Sequence, residues 1–165
     1  MKRVILDTNI FGEIVDSKEV EEIKQLAERH KDIVIYGFDI IRKELRNITK
    51  DVRTEGKLVR LMLLGLYDKL VRFHAYFATA AISQLADEYY EVYQELGGKR
   101  SKKEMMNDFL IVACASIHEL DIVVSNDTKT MRSDIALKSY EIVNKLKKYR
   151  MPGFIGYESF RRLIS

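Results

Sequence analysis

The chain has 165 residues, one cysteine, 28 Lys plus Arg against 25 Asp plus Glu and a net charge of +3, long enough for one full hydrophobic core. A single cysteine excludes an intrachain disulfide and a multi-cysteine zinc site, and it fits a reducing cytoplasm. No window is long and apolar enough for a membrane span, and the opening apolar run stops at Asp7, too short for a signal peptide. The charge balance accepts a nucleic-acid partner without demanding one.

Val4-Ile5-Leu6 reads as a buried strand, with Asp7-Thr8-Asn9 at its carboxyl end. Ile10 opens a short helix. Ser17 reads as the N-cap of a second helix, whose apolar positions Val20, Ile23, Leu26 and Ala27 fall at helical spacing. Ile33-Val34-Ile35-Tyr36 is a second strand ended by Gly37, and residues 38–48 are helical again, with Ile40, Ile41, Leu45 and Ile48 on one face. Strand and helix in alternation predict βαβ units around a parallel sheet.

Residues 55–96 are rich in Leu and Tyr and predict two helices with a break near the middle and no strand, a helical arm or a dimer surface within a single domain spanning 1–165. Gly97-Gly98 ends that stretch, and the basic residues 99–103 read as a loop. Asn107-Asp108 then precedes a helix over 109–119, Ile122-Val123-Val124 is another buried strand, and Ser125-Asn126-Asp127 follows at its carboxyl end. Ser133 or Asp134 caps a long helix to about Lys148, Phe154-Ile155 is a short edge strand, and the last helix runs over 157–164. Clusters such as Arg42/Lys43/Arg46, Lys99/Arg100/Lys102/Lys103 and Lys145/Lys147/Lys148/Arg150 are candidate phosphate contacts or solvated helix faces.

Four acids stand out by position. Asp7 and Asp127 each follow a parallel-type strand, and parallel strands bring their carboxyl ends to one edge of the sheet. Asp108, at the start of a helix feeding the Asp127 strand, falls at the same edge, and Glu44 reaches it from within its helix. Each also has an ordinary reading: Asp7 as a helix cap, Glu44 as an exposed glutamate, Asp108 as a complement to a helix dipole, Asp127 as a turn residue. Carboxylates brought together repel one another unless a cation sits among them, and Mg²⁺ or Mn²⁺ is the hard cation that takes oxygen ligands. Such a metal activates water against a phosphodiester. No GxxxxGK[ST], GxGxxG or GxSxG motif competes, and His30, His74 and His118 form no ligand-like pair. Position 9 is Asn9, so the Asp-x-Asp pair of a haloacid-dehalogenase-type phosphatase is missing, though a phosphatase on small phosphate esters stays as a third alternative. Whether Glu104 or Asp121 joins the acids is open.

With these residues in view the chain resembles a PIN-domain nuclease. The resemblance rests on Val4-Ile5-Leu6-Asp7-Thr8-Asn9, on Glu44-Leu45, and on Asn107-Asp108-Phe109-Leu110-Ile111-Val112-Ala113-Cys114-Ala115 followed by Ile122-Val123-Val124-Ser125-Asn126-Asp127, with Ser125 where the family pattern carries Thr. It leaves residues 55–103 without a counterpart. It implies an α/β fold of three layers, α/β/α, with a central parallel sheet and a helical insertion in the middle of the chain. It further implies Mg²⁺- or Mn²⁺-dependent cleavage of RNA by an endoribonuclease in the cytoplasm. By that likeness Asp7, Glu44, Asp108 and Asp127 form the catalytic pocket, Asp7, Asp108 and Asp127 ligate the metal, and Thr8, Asn9 and Ser125 support them. A homodimer, and a protein antitoxin if the chain is the toxin of a toxin–antitoxin pair, are the implied partners; RNA processing is the other role. The alternative is a non-catalytic module on the same fold that binds RNA or protein.

Overall fold

The computed structural model describes residues 1–165. The first half of the chain runs β1 (Lys2–Leu6), α1 (Thr8–Asp16), α2 (Val20–Arg29), β2 (Ile33–Phe38), α3 (Asp39–Arg46), β3 (Arg53–Thr54), β4 (Lys57–Leu58), α4 (Val59–Val71) and β5 (Ala75–Tyr76). The second half runs α5 (Ala80–Glu95), α6 (Lys102–Ile117), β6 (Ile122–Val124), α7 (Asp134–Lys147), β7 (Gly153–Ile155) and α8 (Tyr157–Ile164).

Five strands form one parallel sheet in the order β5-β2-β1-β6-β7, and β3 and β4 make a separate antiparallel hairpin. β1 is central, with Val4 opposite Ile35 on one side and Ile122 on the other. Val4, Ile5 and Leu6 are all buried, the continuous apolar run expected of a parallel strand covered on both faces. Helices α1, α2, α4 and α8 pack together as one layer and α5, α6 and α7 as the other, while α3 touches both α4 and α6. The fold is therefore the three-layer α/β/α arrangement that the alternation of strands and helices predicts.

β2 runs on through Gly37 to Phe38, where it pairs with β5, and two helix boundaries differ from the sequence reading for a local cause. Ser17 closes α1 instead of opening α2: its N–H bonds the carbonyls of Glu13 and Val15, and Lys18 then turns the chain at φ 59°. The larger difference is α6, which starts two turns earlier than expected, at Lys102. Ser101 Oγ accepts the N–H of Glu104, and the Glu104 carboxylate returns to the Ser101 N–H, a capping box that satisfies two backbone donors at once. Residues 99–103 are thus part loop and part helix, and Asp108 lies in the second turn of α6 and not at its start.

Residues 55–96 hold the two expected helices, α4 and α5, separated where Arg72 adopts φ 56°. The stretch also carries short strands that the sequence reading lacks. β4 pairs with β3 across a turn at Gly56 (φ 77°), and β5 adds an edge to the sheet beside β2. The Tyr stripe of α5 faces inward. Tyr89 donates to Asn144 Oδ1 at 2.5 Å and lies 3.1 Å from Ser116 Oγ, and Asn144 Nδ2 donates to Ser116 Oγ at 2.9 Å. That buried polar set locks α5, α6 and α7 in one register, because each group left unpaired would carry its full desolvation cost.

The capping box is what brings Asp108 to its turn of α6. Ser101→Ala is expected to lower stability by about 1 kcal/mol, read as a drop in the urea midpoint, whereas Lys99→Ala leaves it unchanged. Equal midpoints for Ser101→Ala and wild type would show that something else sets the start of the helix.

A candidate acidic active site

The Asp7 N–H bonds Val124 O at 2.9 Å, one step beyond the last paired residues of β1 and β6. The parallel ladder therefore puts Asp7 beside Ser125. Asp7 is 4% exposed, and its two oxygens take three donors. Oδ1 accepts the Thr8 N–H at 2.7 Å; Oδ2 accepts Ser125 Oγ–H at 2.7 Å and Asn9 Nδ2–H at 2.9 Å. Asp7 is also the N-cap of α1, so its ordinary reading holds together with its place in the cluster. Asn9 reaches the other way as well, accepting the Asn126 N–H at 3.3 Å.

Ser125 carries the link to Asp127. Its hydroxyl donates to Asp7 and accepts the Asp127 N–H at 3.0 Å. The Asp127 carboxylate turns back on its own loop, where Oδ1 accepts the N–H groups of Lys129 at 2.9 Å and Thr130 at 2.8 Å. Thr130 Oγ1 then stands between two acids, 2.5 Å from Asp108 Oδ2 and in contact with Asp127 Oδ2. Glu44 is half-buried on α3, near Thr8 and Asn107 and within the field of Asp7. The structure thus brings all four acids, and Thr8, Asn9 and Ser125, to the carboxyl edge of β1 and β6.

The acids feel one another. Burial pushes Asp108 up to about 7; the Thr130 bond opposes this, and Asp7, Asp127 and Glu44 each push it further. Burial also raises Asp7, against its bonds from Ser125 and Thr8, and the charge of Asp127 adds to the rise. Glu44 is raised by burial and then by Asp7. Asp127 alone ends below the ordinary range: burial pushes it up, but bonds from Thr130 and Lys129 and the charge of Arg100 outweigh that. One hydroxyl proton cannot serve two carboxylates. The contacts of Thr130 are satisfied when Asp108 is protonated and donates to Oγ1 while the hydroxyl donates to Asp127, the protonation state that the raised Asp108 favours.

Glu104 and Asp121 do not join. Glu104 is spent on the capping box and on Arg100 at 3.3 Å. Asp121 sits at the amino end of β6, the opposite edge, accepting the Arg3 N–H at 2.7 Å and pairing with Arg150 at 2.9 Å. The histidines lie elsewhere: His118 stacks on Tyr76 at 3.6 Å and His74 neighbours Phe73 and Tyr36. The sequence reading missed Thr130, Asn126 and Arg132. Thr130 had a local signal, because an Asp three residues before a Thr is the pattern of a side chain capping a turn. Arg132, whose Nη1 donates to Ser125 O at 2.7 Å, had none.

The donor set fits a hard divalent cation by its chemistry. It is all oxygen, it holds more acid than its own donors neutralise, and Thr8 Oγ1 is buried beside it with no hydrogen-bond partner. No three acidic, His or Cys side chains converge at full ligating geometry.

A family model described as PIN domain matches residues 4–135. A chain of VapBC2 from Rickettsia felis, solved bound to a DNA fragment from its promoter, has a likeness of TM-score 0.60 at 15% identity, over 93% of this chain and 98% of that one. Tryptophanyl-tRNA synthetase from Campylobacter jejuni reaches TM-score 0.42 at 13% identity, over 94% of this chain and 55% of that one, too low to bear on the fold. No curated protein matches the chain in sequence.

The crowding of acids gives a pH test without any substrate. Folding raises Asp108 from 3.8 to about 7. Below 3.8 the carboxyl is protonated in both folded and unfolded chains; as pH rises to about 7 the unfolded chain loses a proton that the folded chain keeps. Stability therefore falls with rising pH over that window, by an amount on the order of 4 kcal/mol. In chelator, Asp108→Asn is expected to melt higher than wild type at pH 8, with the gap closing near pH 4. Parallel melting curves across that range would show that Asp108 is not under strain.

Proposed function

The chain belongs to the PIN domain family, and on that premise we propose that it is a Mg²⁺- or Mn²⁺-dependent endoribonuclease. The observation that carries this reading is the mutual electrostatic strain of Asp7, Glu44, Asp108 and Asp127 at one edge of the sheet, three of them pushed up in pKa by burial and by each other. These acids are held by neutral donors: Thr8, Asn9, Ser125 and Thr130.

When bound, Mg²⁺ or Mn²⁺ would supply Lewis acidity to the phosphodiester and make a water nucleophilic near neutral pH. Asp7, Asp108 and Asp127 are the residues we assign to hold it. Ser125 and Asn9 keep the Asp7 carboxylate in one orientation, and Thr130 does the same for Asp108 and Asp127, which is the preorganisation that catalysis by positioned charge needs. Glu44, less buried than Asp7 and raised in pKa, is suited to hold an attacking water and accept its proton. Single-stranded or looped RNA is the substrate we infer, because its backbone bends into a narrow acidic edge more readily than a duplex does. The likeness to a VapBC2 chain supports the toxin of a toxin–antitoxin pair as the biological role, with a protein antitoxin and a second copy of this chain as partners; RNA processing is the other role this chemistry serves. No helix is long and apolar enough to cross a membrane, and a cytoplasmic setting belongs to the same reading.

Asp7→Asn and Asp108→Asn are each expected to cut cleavage of a labelled RNA pool in Mn²⁺ by at least about a hundredfold while circular dichroism stays native. Mn²⁺ binding by calorimetry is expected in wild type and weakened in both variants. Full cleavage by both variants would overturn the proposal and favour a non-catalytic binding module.

A further inference from the structure

The acid cluster holds one phosphodiester, but an RNA strand has neighbouring phosphates on both sides. The two flanks of the cluster differ in what they offer. On the α3 flank two of the three cations already have their own acid: Arg42 makes a two-pronged bond to Asp68 at 3.1 Å and Lys43 faces Asp39 at 4.0 Å, while Arg46 sits in the last turn of the helix. On the α7 flank, Lys129 and Arg132 take part in no ion pair. They line a cavity of about 540 Å³ that begins directly after Asp127, between its loop and the amino end of α7. A second cavity of about 430 Å³ shares Thr128, Arg132 and Asp134 with it, so the groove continues beyond the first.

Arg132 is fixed in register with the acids. Its Nη1 donates to the carbonyl of Ser125, the residue whose hydroxyl holds Asp7, and this leaves the other guanidinium donors to the groove. Lys129 is exposed on the same wall, and Arg100 is near enough to lower the pKa of Asp127. One acid opposes them there, the exposed Asp134 in the first turn of α7.

We propose that this cavity is a subsite for the nucleotide next to the cleaved bond, with that nucleotide's phosphate held by Lys129 and Arg132. The substrate strand then leaves the acid cluster across the Asp127 loop. The inference rests on the nuclease reading and adds to it a direction for the strand. Lys129 and Arg132 are positioning residues: they align the scissile phosphate by holding its neighbour.

The test is single-turnover cleavage of a labelled single-stranded RNA in Mn²⁺, titrating enzyme at two salt concentrations. Lys129→Ala is expected to raise the half-saturating concentration about fivefold and to weaken its dependence on salt, as loss of one phosphate contact does, with a smaller effect on the maximal rate. Asp134→Asn is expected to move half-saturation the other way, since it removes a repelling charge. Lys43→Ala, which removes a cation already paired with Asp39, is the control and leaves it unchanged. If wild type cleaves and both α7-flank variants saturate as wild type does, the subsite is overturned and the nuclease reading stands. If wild type cleaves no RNA, the nuclease reading fails and takes the subsite with it.

Discussion

The arrangement depends on one carboxylate being taken out of water at the end of the central strand. Asp7 is almost wholly buried, and a charge in that position costs several kcal/mol if it is left unpaired. No cation answers it. Three hydrogen bonds do, from its own helix start, from Asn9 on α1 and from Ser125 at the end of β6. Bonds to a charged acceptor are worth roughly 1.5–3 kcal/mol each, so the set about balances the burial and gains little stability. What it does achieve is geometric. Two donors come from the start of α1 and the third from the residue after β6, so the carboxylate is satisfied only when β1, α1 and the loop after β6 are all in register.

From Asp7 outward the acids separate into two kinds. Asp127 is wrapped by the N–H groups of its own turn and by the Thr130 hydroxyl, and it sits below the ordinary range; Asp108 has only Thr130 and sits far above it. Two carboxylates sharing one hydroxyl, with opposite shifts, keep a proton between them near neutral pH. A divalent cation offers the same neutralisation with more charge and a larger coordination shell.

Most of the frame was legible in the residues. β-branched runs identified β1, β2 and β6, and the polar residue after β1 and β6 marked their ends, so the edge where Asp7 and Asp127 meet followed from strand polarity alone; Gly37 did not end β2, which pairs with β5 through Phe38. The position of Asp108 was less accessible. Ser101-Lys102-Lys103-Glu104 carries the capping-box pattern, but its run of lysines reads as a loop, and the two turns of α6 before Phe109 were lost with it. The edge strand β5 was not readable at all. It is two residues long, and what makes it a strand is its pairing with Gly37 and Phe38, a tertiary fact with no local pattern behind it. The same holds for Arg132, whose role comes from a backbone carbonyl seven residues away in the chain.

Strand order explains why the cluster falls where it does. From β1 the chain moves to β2 on one side, and only after the whole helical middle does it return to β6 on the other. The connections therefore diverge between β1 and β6, and in open parallel sheets such a divergence leaves a crevice at the carboxyl ends that no crossover covers. Asp7 and Ser125 lie buried side by side at that point, with α1 starting directly after the one and the loop to α7 after the other. The α5–α6–α7 layer is fixed behind it by the buried Tyr89, Ser116 and Asn144 set, far from the acids yet holding the helix that carries Asp108. Residues 80–95 thus matter to the site through packing: they hold α6, which carries Asp108, and Tyr93 also lines the cavity beside Lys129 and Arg132.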